Sequence, residues 1–272
     1  MPELPEVETI VRGLNRSISP KPIGRVLVRR GKFLKPSQIK KLVGKKLSKI
    51  SRRGKNILMW LDDGQCLTVH LGMTGQLYWR SSDRQTDRHT HLRLEFEGSN
   101  QVLHFRDVRK FGRVRLYASK KELWSDEKIR RLGPEALQIS LADFRKLLQR
   151  RRMIKALLLD QTVIAGVGNI YADESLFAAK IHPAQPAMEI SPGKARKLYE
   201  SMRKILKQAI AAGGSTIRDY RQSNGQEGRF QSKHQVYRRT GLSCGRCKTK
   251  IKRLVVAGRG SHICPACQRL DS

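Results

Sequence analysis

Residues 47–79 read LSKISRRGKNILMWLDDGQCLTVHLGMTGQLYW, and this stretch decides the fold. It holds four short apolar runs, Leu47–Ser51, Ile57–Leu61, Cys66–Leu71 and Gln76–Trp79, with breaks such as Asp62-Asp63-Gly64. Runs of this length bounded by turn formers are strand signals. Working outward, Arg25–Arg30 precedes them with the same texture. His91–Phe96, Val102–Phe105 and Arg113–Ala118 follow, with Glu97-Gly98-Ser99-Asn100 as another break. Many short strands separated by turn signals predict a sandwich of two sheets. Ahead of them, Leu4, Val7, Ile10, Val11 and Leu14 fall on one helical face. Pro5 suits the first turn of that helix, and Glu6 and Glu8 suit its positive end.

Near residue 120 the texture changes. Leu132-Gly133-Pro134 reads as a breaker before helical stretches at Ser140–Gln149, Met153–Leu159, Tyr171–Ala179 and Pro192–Gly213. The polar, glycine-rich Gly213–Gly228 is expected to be a mobile loop, and the cysteines follow it. The expected class is α+β. Residues 1–131 form an N-terminal β-sandwich, 132–235 a helical domain and 236–272 a zinc finger.

Charge narrows the partner. Lys plus Arg number 56 against 23 Asp plus Glu, a net charge of +33. An ordinary metabolic enzyme has no use for such a surplus, whereas a polyanion would be attracted to it. From Arg25 to Lys55 there are 13 basic residues and no acid; Phe144–Lys155 and Val236–Ser272 are two further basic blocks. Three blocks suggest one long ligand touched by several elements, where a single block would suit a solvated tail. No run approaches the ~18–20 apolar residues of a membrane span, and MPELPEVETI lacks the apolar core of a secretory signal. The expected setting is intracellular and reducing, cytoplasmic or nucleoid-associated, with no membrane partner.

Cys244, Cys247, Cys264 and Cys267 form two C-x2-C pairs sixteen residues apart. Four thiolates in two close pairs suit one tetrahedral Zn2+ of the structural kind; two disulfides are the alternative, disfavoured in a reducing compartment. Cys66 sits in an apolar strand and reads as core. Between the pairs, Leu254–Ala257 and His262–Ile263 could be strands with Gly258-Arg259-Gly260 as the turn, placing Arg259 at the tip of a hairpin.

Pro2 follows Met1, and removal of Met1 would expose a secondary amine. An α-amino group titrates near ~7.7–8.0 against about 10.4 for lysine, so a useful fraction is neutral at pH 7 and can attack an electrophilic carbon. Glu3 beside it could exchange protons. Taken alone, a helix-start proline is the plainer reading.

Five segments occur in order: MPELPEVET, HLGMTG at His70–Gly75, FRDVRKFG at Phe105–Gly112, GVGNIYADESLF at Gly166–Phe177 and the tail GRGSHICPACQ. Together they resemble the formamidopyrimidine-DNA glycosylases, also called 8-oxoguanine DNA glycosylase/AP lyases, over essentially the whole chain. The resemblance implies an enzyme that removes oxidised purines, 8-oxoguanine and formamidopyrimidines, from damaged double-stranded DNA and then nicks the strand by β,δ-elimination. It implies a monomer with one structural Zn2+ and no other cofactor.

The resemblance also implies roles. Pro2 attacks C1′ of an extruded nucleotide and Glu3 is the acid/base carboxylate. Lys55 serves the first elimination; Arg259 serves the second and holds phosphate. Met73, Arg109 and Phe111 fill the void left by extrusion, with Arg109 also facing the orphaned cytosine. Asn169 and Lys155 grip phosphates from a helix–two-turn–helix element, and His89 and Arg150 contact DNA. The matching segment to Gly213–Gly228 closes over the extruded base. Val108 stands where proline is common and Lys110 where arginine is common. One rival resembles endonuclease VIII, which prefers oxidised pyrimidines; another is a DNA-binding protein without catalysis that uses the zinc module as a reader.

Overall fold

The computed structural model describes residues 1–18, 21–29, 33–82 and 86–270. The chain forms two units. One is Met1–Arg131 with Ala212–Arg229; the other is Leu132–Ala211 with Phe230–Ser272. Residues 212–229, expected within the helical stretch 132–235, therefore belong with the N-terminal unit.

In the first unit, α1 (Leu4–Ser17) precedes eight strands: β1 (Ile23–Val28), β2 (Leu47–Arg53), β3 (Asn56–Leu61), β4 (Cys66–His70), β5 (Gly75–Ser81), β6 (Thr90–Phe96), β7 (Gln101–Asp107) and β8 (Arg113–Tyr117). They make two antiparallel sheets, ordered β1-β6-β7-β5 and β2-β3-β4-β8. Every expected strand is present; the last residue of the expected Arg25–Arg30 lies outside the described residues. Alternation aims Ile57, Met59 and Leu61 of β3 and Leu67 and Val69 of β4 into a core shared with Leu77, Leu92, Leu94, Leu103 and Phe105 of the other sheet. Val7, Ile10, Val11 and Leu14 of α1 enter the same core. Asn15 stitches α1 to β2, donating to the Ile50 carbonyl at 2.7 Å and accepting the Ile50 N–H at 3.2 Å. Three helices escaped sequence reading: α2 (Pro36–Leu42), α3 (Lys120–Ser125) and α4 (Glu127–Arg130). Their strongest local signals are caps, such as the Ser119 hydroxyl accepting the Glu122 N–H.

In the second unit, α5 (Leu141–Leu148), α6 (Ile154–Leu159), α7 (Asn169–Ala179) and α8 (Pro192–Ala211) precede a hairpin of β9 (Lys252–Val256) and β10 (Arg259–Ile263). Helix α7 is buried along almost its whole length. Its Glu174 carboxylate accepts the backbone N–H groups of Gln235, Val236 and Tyr237 at 2.8–3.0 Å. Burial pushes this carboxyl above the usual range although those donors pull the other way. Phe177, Val236, Ile251, Cys244 and Cys264 form the small core of the cysteine module.

Candidate active site and nucleic-acid contacts

Pro2 and Glu3 are both buried, Glu3 to 3% exposure, at the start of α1. Glu6, one turn on, holds them there: its Oε2 accepts the Glu3 N–H at 2.8 Å. Its Oε1 accepts the Ser215 N–H at 2.8 Å, so one carboxylate ties the N-terminus to the 212–229 segment. Glu8 receives Arg52 Nε at 3.0 Å, and Arg52 Nη1 donates to the Gly54 carbonyl at 2.8 Å. That chain of bonds fixes α1 against the β2–β3 turn carrying Lys55, which is 6% exposed. A lysine so buried is no ordinary surface charge.

His70, the first residue of the HLGMTG segment, ends β4. Its Nδ1 accepts the Gly72 N–H at 3.2 Å, which leaves the proton on Nε2. Burial, with the Arg113 guanidinium and Lys55 ammonium nearby, pushes its pKa down to about 4. It is thus a neutral N–H donor among cations, chemistry that fits an anion.

The loops Leu71–Thr74 and Asp107–Gly112 meet. Gly72 has φ +63°, and a Cβ there would stand 2.7 Å from the Phe111 carbonyl carbon. Only glycine permits that approach. Met73, Arg109 and Phe111 gather at the junction: Arg109 Nη1 lies 3.4 Å from Met73 Sδ, and its guanidinium lies 4.6 Å from the Phe111 ring centre. Met73 and Phe111 are 44% and 53% exposed, against the burial expected of core residues. His89 lies in the turn before β6, its N–H held by Asp87 and its carbonyl accepting the Asp107 N–H at 2.9 Å at the root of the Arg109 loop.

In the second unit the structure brings Lys155, Asn169 and the Arg259 hairpin together, with two differences from expectation. First, Lys155 is wholly buried. Its Nζ donates to Asp173 Oδ1 at 2.6 Å, Ser261 Oγ at 2.7 Å and the Gly260 carbonyl at 3.1 Å. An ammonium so engaged fastens the hairpin to α7. Second, Arg259 opens β10 opposite Val256, and the turn is Ala257-Gly258. Both turn residues have positive φ, 51° and 70°, the pattern of a two-residue hairpin turn. Arg259 is exposed at that end of the hairpin. Asn169, first residue of α7, donates from Nδ2 to the Gly260 carbonyl at 2.9 Å, while its buried Oδ1 has no partner among the described residues. Arg150 is exposed in the tight turn before α6.

The Gly213–Gly228 segment is folded onto the sandwich. Tyr220 joins the core of the first unit and donates to the Gly213 carbonyl at 3.0 Å. Gln76 Nε2 bonds the Asp219 carbonyl, and the Trp79 N–H donates to the Ser223 carbonyl at 2.8 Å. The segment thereby covers the edge of β5.

The four cysteine sulfurs lie within 4.8 Å of one another. Four thiolates bound to a zinc at ~2.3 Å stand roughly 3.8 Å apart, so this donor set fits the ion. Among the described residues no helix is long and apolar enough to cross a membrane.

A buried Pro-Glu start on a two-sheet sandwich, a helical unit and a four-thiolate finger, all in a strongly basic chain, are the features of a zinc-finger DNA-repair glycosylase. Three family signatures bear on the particular kind. The formamidopyrimidine-DNA glycosylase N-terminal domain matches residues 1–114, its H2TH domain 132–221, and the zinc finger found in FPG and IleRS 241–270. The chain belongs to the formamidopyrimidine-DNA glycosylase family. The formamidopyrimidine-DNA glycosylase of Solibacter usitatus (strain Ellin6076) is 44% identical over 278 residues, covering 99% of this chain and 100% of the relative. Among solved structures, the MutM (Fpg) protein from Thermus thermophilus is 40% identical, with TM-score 0.88 and 100% of both chains covered. Lactococcus lactis Fpg complexed with abasic-site DNA is 37% identical, with TM-score 0.91 and 98% of this chain and 99% of the other covered.

Proposed function

We propose that this chain is a bifunctional base-excision repair enzyme that removes 8-oxoguanine and formamidopyrimidines from duplex DNA and then cleaves the strand. The carrying observation is the buried Pro2-Glu3 start of α1, tied through Glu8 and Arg52 to the turn that bears buried Lys55. Relatives solved with abasic-site DNA and with Fapy-dG-containing DNA support the substrate class.

With Met1 removed, the Pro2 nitrogen attacks C1′ of the extruded nucleotide. Glu3 exchanges the protons this requires, and the base departs with the electrons of its glycosidic bond. The C1′–O4′ bond then breaks, O4′ taking its electrons and a proton from Glu3 while the proline lone pair forms the iminium, which acidifies the C2′ hydrogen. A base removes that proton, the C–H electrons form a C=C bond, and the 3′ phosphate leaves; we assign Lys55 to this step. A second elimination expels the 5′ phosphate, with Arg259 holding it. Met73, Arg109 and Phe111 occupy the vacated stack. Arg109 hydrogen-bonds the orphaned cytosine, whose exposed edge a guanidinium can recognise. Asn169, His89, Arg150 and the neutral His70 contact backbone phosphates. Lys155 acts one step back, by holding the hairpin. A single Zn2+ bound by the four cysteines would supply folding energy to the finger. The protein works as a monomer inside the cell.

A duplex with 8-oxoguanine opposite cytosine tests this reading. The expected product is a one-nucleotide gap flanked by phosphates. Base release that leaves an unbroken abasic strand would refute the coupled lyase, and preference for oxidised pyrimidines would favour the endonuclease VIII-like reading.

A further inference from the structure

Asp107, the last residue of β7, is fully buried at the root of the loop carrying Arg109 and Phe111. Its Oδ2 accepts the Gly112 N–H at 2.7 Å, closing that loop. Its Oδ1 accepts the Thr74 hydroxyl at 2.5 Å and the Arg109 N–H at 3.3 Å. The Thr74 oxygen in turn accepts the Arg109 N–H at 3.1 Å. One hydroxyl, on a residue 8% exposed, therefore donates to the carboxylate and receives the backbone of Arg109. It joins two loops that are 33 positions apart in sequence.

We propose that Thr74 is a positioning residue that sets how sharply the enzyme distinguishes the base opposite the lesion. The inference rests on the assignment of Arg109 to the orphaned base. Apolar filling by Met73 and Phe111 is non-directional, so small movements of the loop cost it little. A guanidinium hydrogen-bonded to a base edge is directional, and it weakens steeply when its angle is lost. Thr74 fixes the backbone from which that guanidinium extends. Removing the hydroxyl leaves the Arg109 N–H with the longer Asp107 contact alone. It also deprives a buried carboxylate oxygen of its hydroxyl donor. Discrimination should fail before excision does.

The test compares kcat/KM for 8-oxoguanine opposite cytosine and opposite adenine in Thr74→Val, Thr74→Ser and Arg109→Ala. Losing one hydrogen bond of ordinary strength corresponds to about fivefold. We expect Thr74→Val to lower the cytosine-to-adenine ratio about fivefold, mainly through the cytosine arm, and Thr74→Ser to restore it. Thr74→Ala, with less bulk to place, serves if the valine variant does not fold. A wild-type ratio in the hydroxyl-free variant would overturn the role of Thr74, as would failure of serine to rescue it. An unchanged ratio in Arg109→Ala would instead overturn the Arg109 assignment, and this proposal with it.

Discussion

Two buried aspartates, one in each unit, hold their neighbouring elements by opposite means. Asp107 is satisfied by neutral donors: the Thr74 hydroxyl and the N–H groups of Arg109 and Gly112. Asp173 is satisfied by the Lys155 ammonium at 2.6 Å and by His262, whose N–H and Nδ1 both meet Oδ2, at 2.9 and 3.1 Å. The first arrangement consumes no cation, and the Arg109 guanidinium takes no part in it. The second commits Lys155 completely, and in exchange the strand beginning at Arg259 is fixed to α7. Its buried partners make this lysine part of the scaffold of the second unit.

The difference can be broken from the ionic side first. Cys244→Ala should remove a thiolate, release the metal and unfold the finger with its hairpin, because ligation and folding of so small a module are one equilibrium. DNA affinity should fall with metal content, while the Asp107 loops keep their protected amides in hydrogen exchange. A metal-free Cys244→Ala protein with wild-type affinity would contradict this. Next in size is Lys155→Ala. It strands the Asp173 charge in the interior, and breaking a buried pair in this way costs about 3–5 kcal/mol. Melting should show a loss of that size, the His262 amide should exchange faster, and Asp173→Ala added to Lys155→Ala should recover part of it. The salt dependence of DNA binding should keep its slope. A slope smaller by about one phosphate contact, with unchanged stability, would return Lys155 to the role of phosphate ligand.

Acid should not respect the contrast, because both units carry histidines depressed by burial. His70 and His104 in the first unit and His234 in the second are each pushed down to about 4. Their folded values lie below the unfolded value of ~6.5. The stability they contribute is complete above that value and is lost as pH falls toward 4. Three histidine ring signals titrating near 4 by NMR would agree, and titration of all three near 6.5 would not.

How much was legible depended on how far apart the partners lie. The eight strands were visible because alternation and turn residues are local, and the four thiolates because their spacing is itself the signal. Pro2, Glu3 and Lys55 were named from motif and place, and the structure adds their burial. The partners of Lys155 were not legible because Asp173 and Ser261 are 18 and 106 positions away. Nothing near Lys155 announces that its ammonium is spent. Arg259 slipped from turn to strand because Gly258-Arg259-Gly260 looks like a turn, while the real turn puts a non-glycine, Ala257, at positive φ. The 213–228 segment looked like a free loop because its anchors, Glu6 and Gln76, come from the far end of the chain. Its Tyr220 was the one local hint of a buried contact.

The proposed chemistry requires Pro2 as the nucleophile. Borohydride reduction during reaction with 8-oxoguanine duplex should trap a covalent complex, and peptide mass mapping should place the sugar on the nitrogen of Pro2 in a chain that has lost Met1. A protein carrying an extra residue ahead of Pro2 should give no adduct. An adduct on a lysine, or undiminished trapping by the extended protein, would contradict the proline mechanism.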